Sequence, residues 1–220
     1  MRRGLWGCVM WAVLAGGPLH AAPACTPPQA AAERWMAADC LACWQSADSA
    51  RPGDFVLDWI YPSTTPDAPM SQAALREAGD RLRDASIPSP ATPRTLVATH
   101  TVVGSMGVEV LSGPAWNGYF GLQMEARRKG RADAAGAVGW LALVEQLPAG
   151  EEGSPVARQL VRALAGPLPL QLLQSQPRVQ HLRAVRIPQG VKPERLKAVA
   201  WVEDSSGRWL GVATEGCPAR

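Results

Sequence analysis

Glu33-Arg34-Trp35-Met36-Ala37-Ala38-Asp39-Cys40-Leu41-Ala42-Cys43-Trp44 decides how this chain reads. An apolar run from Trp35 to Ala38 leads straight into two cysteines three positions apart. If a strand over 34–38 feeds a helix that begins at Cys40, residues three apart share one helix face and the two sulfurs reach each other. The unpaired N–H groups of a helix's first turn stabilise a thiolate on Cys40. Cys40 is then the attacking thiol and Cys43 the resolving one. In an exported chain the same spacing also suits a static disulfide or half of a metal site. No second Cys-x-x-Cys follows, and His100 and His181 stand far apart without ligand spacing. No metal and no cofactor is called for.

The start of the chain sets the compartment. Met1-Arg2-Arg3, an apolar stretch over 5–15 and the small residues Ala21 and Ala22 read as a signal peptide over 1–24. The apolar run is too short, and too soon broken by Gly16-Gly17-Pro18, to span a bilayer, and no later segment approaches a membrane span. The expected destination is the periplasm or the medium. A lipid anchor at Cys25 is disfavoured by Ala22, which stands where a lipoprotein signal carries a larger aliphatic.

The 220 residues carry 22 Lys and Arg against 19 Asp and Glu. Loss of Arg2 and Arg3 with the signal leaves 20 against 19, so no charge argument for nucleic acid or an anionic membrane survives. The cluster Arg127-Arg128-Lys129 with Arg131 reads as a solvated loop. Of five cysteines, Cys8 leaves with the signal, and an even set remains: Cys25, Cys40, Cys43 and Cys217. Two disulfides are expected in an oxidising compartment. The favoured connectivity is Cys40 with Cys43 and Cys25 with Cys217, the second closing the longest loop and constraining the unfolded chain most.

Along the chain, 40–49 reads as a short helix and 54–61 as a strand whose two faces are both apolar except at Asp58. A strand buried on both sides belongs inside a sheet covered by helices. Asp58 is the odd residue there, since a buried carboxyl must be paired or protonated. It is either a proton relay to the resolving cysteine or an acid bonded to neighbouring backbone or water. Ser71 can cap a second helix over 71–84, with Ala74, Leu75, Ala78 and Leu82 on one stripe. Pro88, Pro90 and Pro93 punctuate the approach to a strand over 94–103. Beyond it the pattern turns to strands: 107–111, 119–127, 137–145 and most of the last fifty residues. The clearest hairpin joins 197–203 to 208–213 through Asp204-Ser205-Ser206-Gly207. Residues 154–164 fit a helix opened by Ser154-Pro155 and also an extended strand; strand is the reading taken.

This layout resembles that of secreted bacterial proteins of unknown function that join a shortened thioredoxin-like unit to a β-sandwich-like second half. Carrying the resemblance are Trp35, Cys40-x-x-Cys43, Asp58-Trp59, Thr92-Pro93 and the Trp201 and Trp209 strands at the end. It implies an α/β thioredoxin-like domain over 25–113 and an all-β sandwich-like domain over 114–220. It further implies a cis Pro93 facing the cysteine pair and Asp58 beneath it. The sequence departs from that family's usual active site: Ala38-Asp39 precede Cys40, where an aromatic is usual, and Asp39 opposes a thiolate unless its carboxylate turns to cap the helix.

Two functions follow. One is a thiol-disulfide oxidoreductase acting on protein thiols or disulfides, with Cys40, Cys43, Pro93 and Asp58 as its site. The other is a non-enzymatic secreted binding or structural module with an inert Cys40-Cys43 disulfide and an unknown protein partner. Its candidate contact loop is 113–119, where Trp116 and Tyr119 are typical interface anchors.

Overall fold

The computed structural model describes residues 28–47, 55–88, 94–130 and 133–217. The signal-peptide reading, Cys25 and Pro93 lie outside them. Strand β1 (Ala30–Ala37) runs parallel to β2 (Phe55–Tyr61), with Trp35 opposite Trp59. Between them α1 (Leu41–Trp44) is a single turn. Helix α2 (Arg76–Asp84) follows, and β3 (Leu96–Thr101) returns antiparallel to β1. The rest of the chain is extended: β4 (Met106–Trp116), β5 (Tyr119–Arg128), β6 (Val138–Leu147), β7 (Arg158–Pro169), β8 (Arg178–Arg186), β9 (Leu196–Glu203) and β10 (Trp209–Thr214).

These strands form a β-sandwich that curls toward a half-barrel. Seven make one sheet in the order β10-β9-β6-β7-β2-β1-β3, and β4-β5-β8 make the other. The larger sheet therefore draws on strands from both sides of Gly113, joined where β2 meets β7 at Asp58 and Leu160. Its outermost strands approach each other, because the Val103 N–H following β3 donates to the Trp209 carbonyl of β10 at 2.9 Å. Inside the curl lie Trp35, Leu57, Trp59, Trp201 and Trp209, all fully buried, with Ala78 and Leu82 of α2 packed among them. On the other side of β6, β9 and β10, Leu141, Leu143, Ala198 and Ala200 pack against Val108, Leu122 and Met124 of the smaller sheet.

The expected α/β thioredoxin-like unit is corrected by this architecture. Among the described residues only α1, of four residues, and α2, of nine, are α-helical, and they cannot cover a sheet as such a unit requires. The expected helix over 71–84 is broken for a visible reason. Leu75 N–H donates to the Ile60 carbonyl at 2.8 Å, which draws Ala74 and Leu75 into extended backbone. Ser71 opens only a 3-10 turn, and α2 starts at Arg76 with no side-chain cap. Strand β2 is buried on both faces as its composition predicts, but loop residues such as Ala68 and Met70 cover the face that a helix was expected to cover. Residues 154–164 feed a strand, β7, as read.

The closing hairpin is as its sequence predicts. Asp204 organises its turn: Oδ1 accepts from Ser206 N–H, the Ser206 hydroxyl and Arg208 N–H, and Oδ2 accepts from Arg208 Nε. These donors outweigh the effect of burial and hold the Asp204 carboxyl down at about 2. On β10, Gly211 is where the sheets come closest, since a Cβ there would lie 2.4 Å from the Met106 carbonyl oxygen. Gly211→Ala should therefore cost about 1–3 kcal/mol of stability by overpacking, read as a lower midpoint in urea.

Candidate functional site

Cys40 and Cys43 are joined in a disulfide, with Cα atoms 5.3 Å apart. Both are buried, at 5% and 7% exposure, in an apolar cluster with Met36, Trp44, Ile60, Met70 and Leu160. Leu41, 42% exposed, and Ala42 face solvent from the same turn. Cys40 stands at the N-cap of α1, and the helix it opens is a single turn. Asp39 does not cap the turn; its Oδ2 accepts from the Thr65 hydroxyl at 2.7 Å. The carboxylate therefore stays next to Cys40, where it opposes a thiolate and, together with burial, pushes the Tyr61 phenol above its ordinary value.

Asp58 sits on the β2 face shared with this corner, fully buried. Its Oδ1 accepts from Arg34 Nε at 2.8 Å and lies 2.7 Å from Arg34 Nη2 and 3.5 Å from Arg158 Nη1. Oδ2 accepts from Gln159 N–H at 2.9 Å. Burial raises its carboxyl above the ordinary value, the two arginines and the Gln159 N–H pulling the other way. Arg158 continues the chain of contacts to the disulfide turn. Its Nη2 donates to the Trp44 carbonyl at 2.8 Å, and its guanidinium lies 5.1 Å from the Trp44 ring. Trp44 Nε1 in turn donates to the Glu152 carbonyl at 2.7 Å. The arrangement ties the α1 turn to β7.

The most elaborate polar cluster lies on the opposite face, inside the curl of the large sheet. Arg81 of α2 donates two hydrogen bonds of 2.9 Å to Glu33 of β1, through Nε and Nη2. Nη2 also donates to Glu203 of β9 at 2.8 Å. Glu203 is completed by Trp201 Nε1 and Trp140 Nε1, each at 2.8 Å. His100 Nε2 is 3.0 Å from Glu33 Oε2. Rings stack in series beside it, from His100 to Trp209 at 4.9 Å, on to Trp201 at 5.2 Å and to Trp140 at 6.2 Å. The Arg81 guanidinium lies 5.0 Å from Trp140 and 5.1 Å from Trp201, close enough for cation–π attraction. A cavity of about 490 Å3 opens beside it, lined in part by Asp84, Ile87 and Ser206.

Both carboxylate oxygens of Glu33 and of Glu203 are paired, and the cluster clamps α2 onto the sheet. Burial acts to raise the Glu33 carboxyl, but Arg81 and His100 overcome it and hold the group below the ordinary glutamate range. A depressed folded-state value means stability that is present in full above the unfolded value and lost as pH falls through the folded one. The stability of the wild type should therefore decline in acid, below about pH 4.5. Urea midpoints measured across that range should fall more steeply for the wild type than for Glu33→Gln.

Of the residues singled out in sequence, Cys40 and Cys43 come together, and Asp58 reaches their turn through Arg158. His100 faces the Arg81 cluster, while His181 of β8 bonds the Pro169 carbonyl at 2.9 Å; neither histidine shares the disulfide's apolar cluster. Cys217 is disulfide-bonded, and its expected partner Cys25 lies outside the described residues. Trp116 and Tyr119 stand exposed at the β4-β5 turn, 74% and 51%. The Arg81-Glu33-Glu203 cluster was not foreseen. Its signal was a parity: Glu33 falls between Ala31 and Trp35 on the inward side of β1, and Arg81 adjoins Leu82 three positions after Ala78.

No family model matches the chain, and no curated protein matches it. Among solved structures it is similar to HBP35 of Porphyromonas gingivalis, with a TM-score of 0.52 and 9% identity over 88% of this chain and 76% of that one. At that identity the likeness is one of fold. The resemblance to secreted thioredoxin-like proteins of unknown function is thereby corrected: the chain is mostly β, and no family assignment supports it.

Proposed function

We propose that this chain is an exported, non-catalytic binding or structural module in which the Cys40-Cys43 disulfide braces the corner between β1 and β2. The observation that carries the reading is the burial of both cysteines in an apolar cluster beneath Trp44 and Met70. A redox pair must meet a substrate sulfur, and a sulfur enclosed in apolar side chains with Asp39 alongside is poorly placed to become a thiolate. Asp58 serves the module by neutralising Arg34 and Arg158. A signal peptide over 1–24 and a Cys25-Cys217 staple complete the proposal; the disulfide itself fits an oxidising compartment. Among the described residues no helix is long and apolar enough to cross a membrane.

The solvent-facing anchors Trp116 and Tyr119 supply the contact surface of the module. Its separation from redox work is tested on the disulfide. Equilibrated against thiol buffers, the Cys40-Cys43 pair should show a reduction potential below about −300 mV, as structural disulfides do. Cys43→Ser, expressed in an oxidising compartment, should trap no mixed disulfides. A higher potential together with trapped partners would establish an oxidoreductase instead.

A further inference from the structure

The smaller sheet has one face in the core and one in solvent, and its outward residues form five rows across the strands. On β5 they are Arg127, Glu125, Gln123, Gly121 and Tyr119. Opposite them on β8 stand Arg178, Gln180, Leu182, Ala184 and Arg186. The central row is Leu111, Gln123 and Leu182, whose leucines are 61% and 68% exposed. Two rows to one side, Trp116 pairs with Tyr119. Two rows to the other, the Arg127 side chain lies over Gly107, where a Cβ would come 2.7 Å from its Cγ and Nε.

We propose that this face docks a second copy of the same chain, about a two-fold axis that runs across the strands through the Leu111-Gln123-Leu182 row. Such a rotation reverses the row order. Each leucine meets its own counterpart, and Glu125 and Gln180 enter the space left by Gly121 and Ala184. Arg127 on its glycine floor faces Trp116 and Tyr119, a cation set over aromatic rings. Arg178 of each copy meets Arg186 of the other, two like-charged contacts in all, and Glu125 lies 3.7 Å from Arg178 to screen each. Large meets small in this register, and Arg127, 3.5 Å from Glu109 of its own chain, meets aromatic rings, so the face fits itself, as an isologous interface must. Five rows by three strands span roughly 400 Å2 per copy. That is about half of what a stable interface buries on each side, so the dimer is weak and transient. The proposal rests on the binding-module reading and names its partner.

The test is sedimentation equilibrium of the mature, disulfide-intact protein up to its solubility limit. The weight-average mass should climb from one toward two chain masses with concentration, and Leu182→Glu, a solvent-facing change, should stay at one. Cys40, Cys43 and Cys217 are all disulfide-bonded. An added surface thiol therefore reports geometry: under mild oxidation Leu182→Cys, on the axis, should link two chains, whereas Ala184→Cys, off the axis, should not. A wild type that remains at one chain mass throughout, or equal cross-linking by both cysteine variants, overturns the proposal. Either result leaves the disulfide experiment untouched, and trapped mixed disulfides would overturn the module reading without altering the mass.

Discussion

Arg81→Met should lower the free energy of unfolding by about 3–5 kcal/mol, because it leaves two buried carboxylates without their shared cation. Glu33 and Glu203 are 1% and 8% exposed, so only water entering from the neighbouring cavity can take the place of the guanidinium. The same change removes the positive group lying among Trp59, Trp140 and Trp201, so indole fluorescence should shift together with the urea midpoint. Arg81→Lys separates charge from geometry. A lysine keeps the cation but cannot present two parallel donors to Glu33 and a third to Glu203, so its cost should fall between those of the wild type and methionine. Equal stability of all three proteins would show that the cluster is incidental to holding α2.

Asp58→Asn should also be costly, on the order of 3 kcal/mol, since it removes the buried carboxylate that faces Arg34 and Arg158. Intact buried ion pairs add little net stability, and burial here raises the Asp58 carboxyl above its ordinary value against the pull of its arginines. The loss comes from breaking the pair. The informative half of this experiment is the disulfide: with Asp58 as a structural counter-ion, the variant should keep the wild-type reduction potential. A lowered stability with an altered rate of thiol exchange would instead give Asp58 a part in proton transfer.

The strands were largely legible because their signals are local. Alternation at 119–127 and the turn residues Asp204 and Gly207 needed no distant information, and the apolar Phe55 to Ile60 run marked an interior strand correctly. What covers that strand was not local. One face is closed by Met70 and the disulfide turn, the other by α2 and by tryptophans arriving from β6, β9 and β10, about 80 to 150 residues downstream. A short β-turn-β opening with two cysteines thus looks the same whether helices or later strands complete the sheet. The 71–84 segment misled for a related reason. Its apolar spacing is helical, but the Ile60 carbonyl claims Leu75 and shortens the helix from outside. At the site, the cysteine pairing could be read directly, whereas the Arg81 cluster joins β1, α2, β3 and β9 and exists only once they are assembled.

The junction of β2 with β7 has a consequence for how the protein comes into being. Asp58 cannot meet Leu160 until about a hundred further residues are available, and the two outermost strands of the same sheet, β3 and β10, are likewise about a hundred residues apart in the chain. Contacts of such sequence separation form slowly, because loop closure must precede any gain. β1, β2 and β3 can pair with one another early, but the edge of β2 and the apolar face of the three strands stay uncovered until β7 and the last hairpin are present. During that interval its tryptophan-bearing strands stand open to other chains, so the partly assembled sheet is the species most exposed to aggregation.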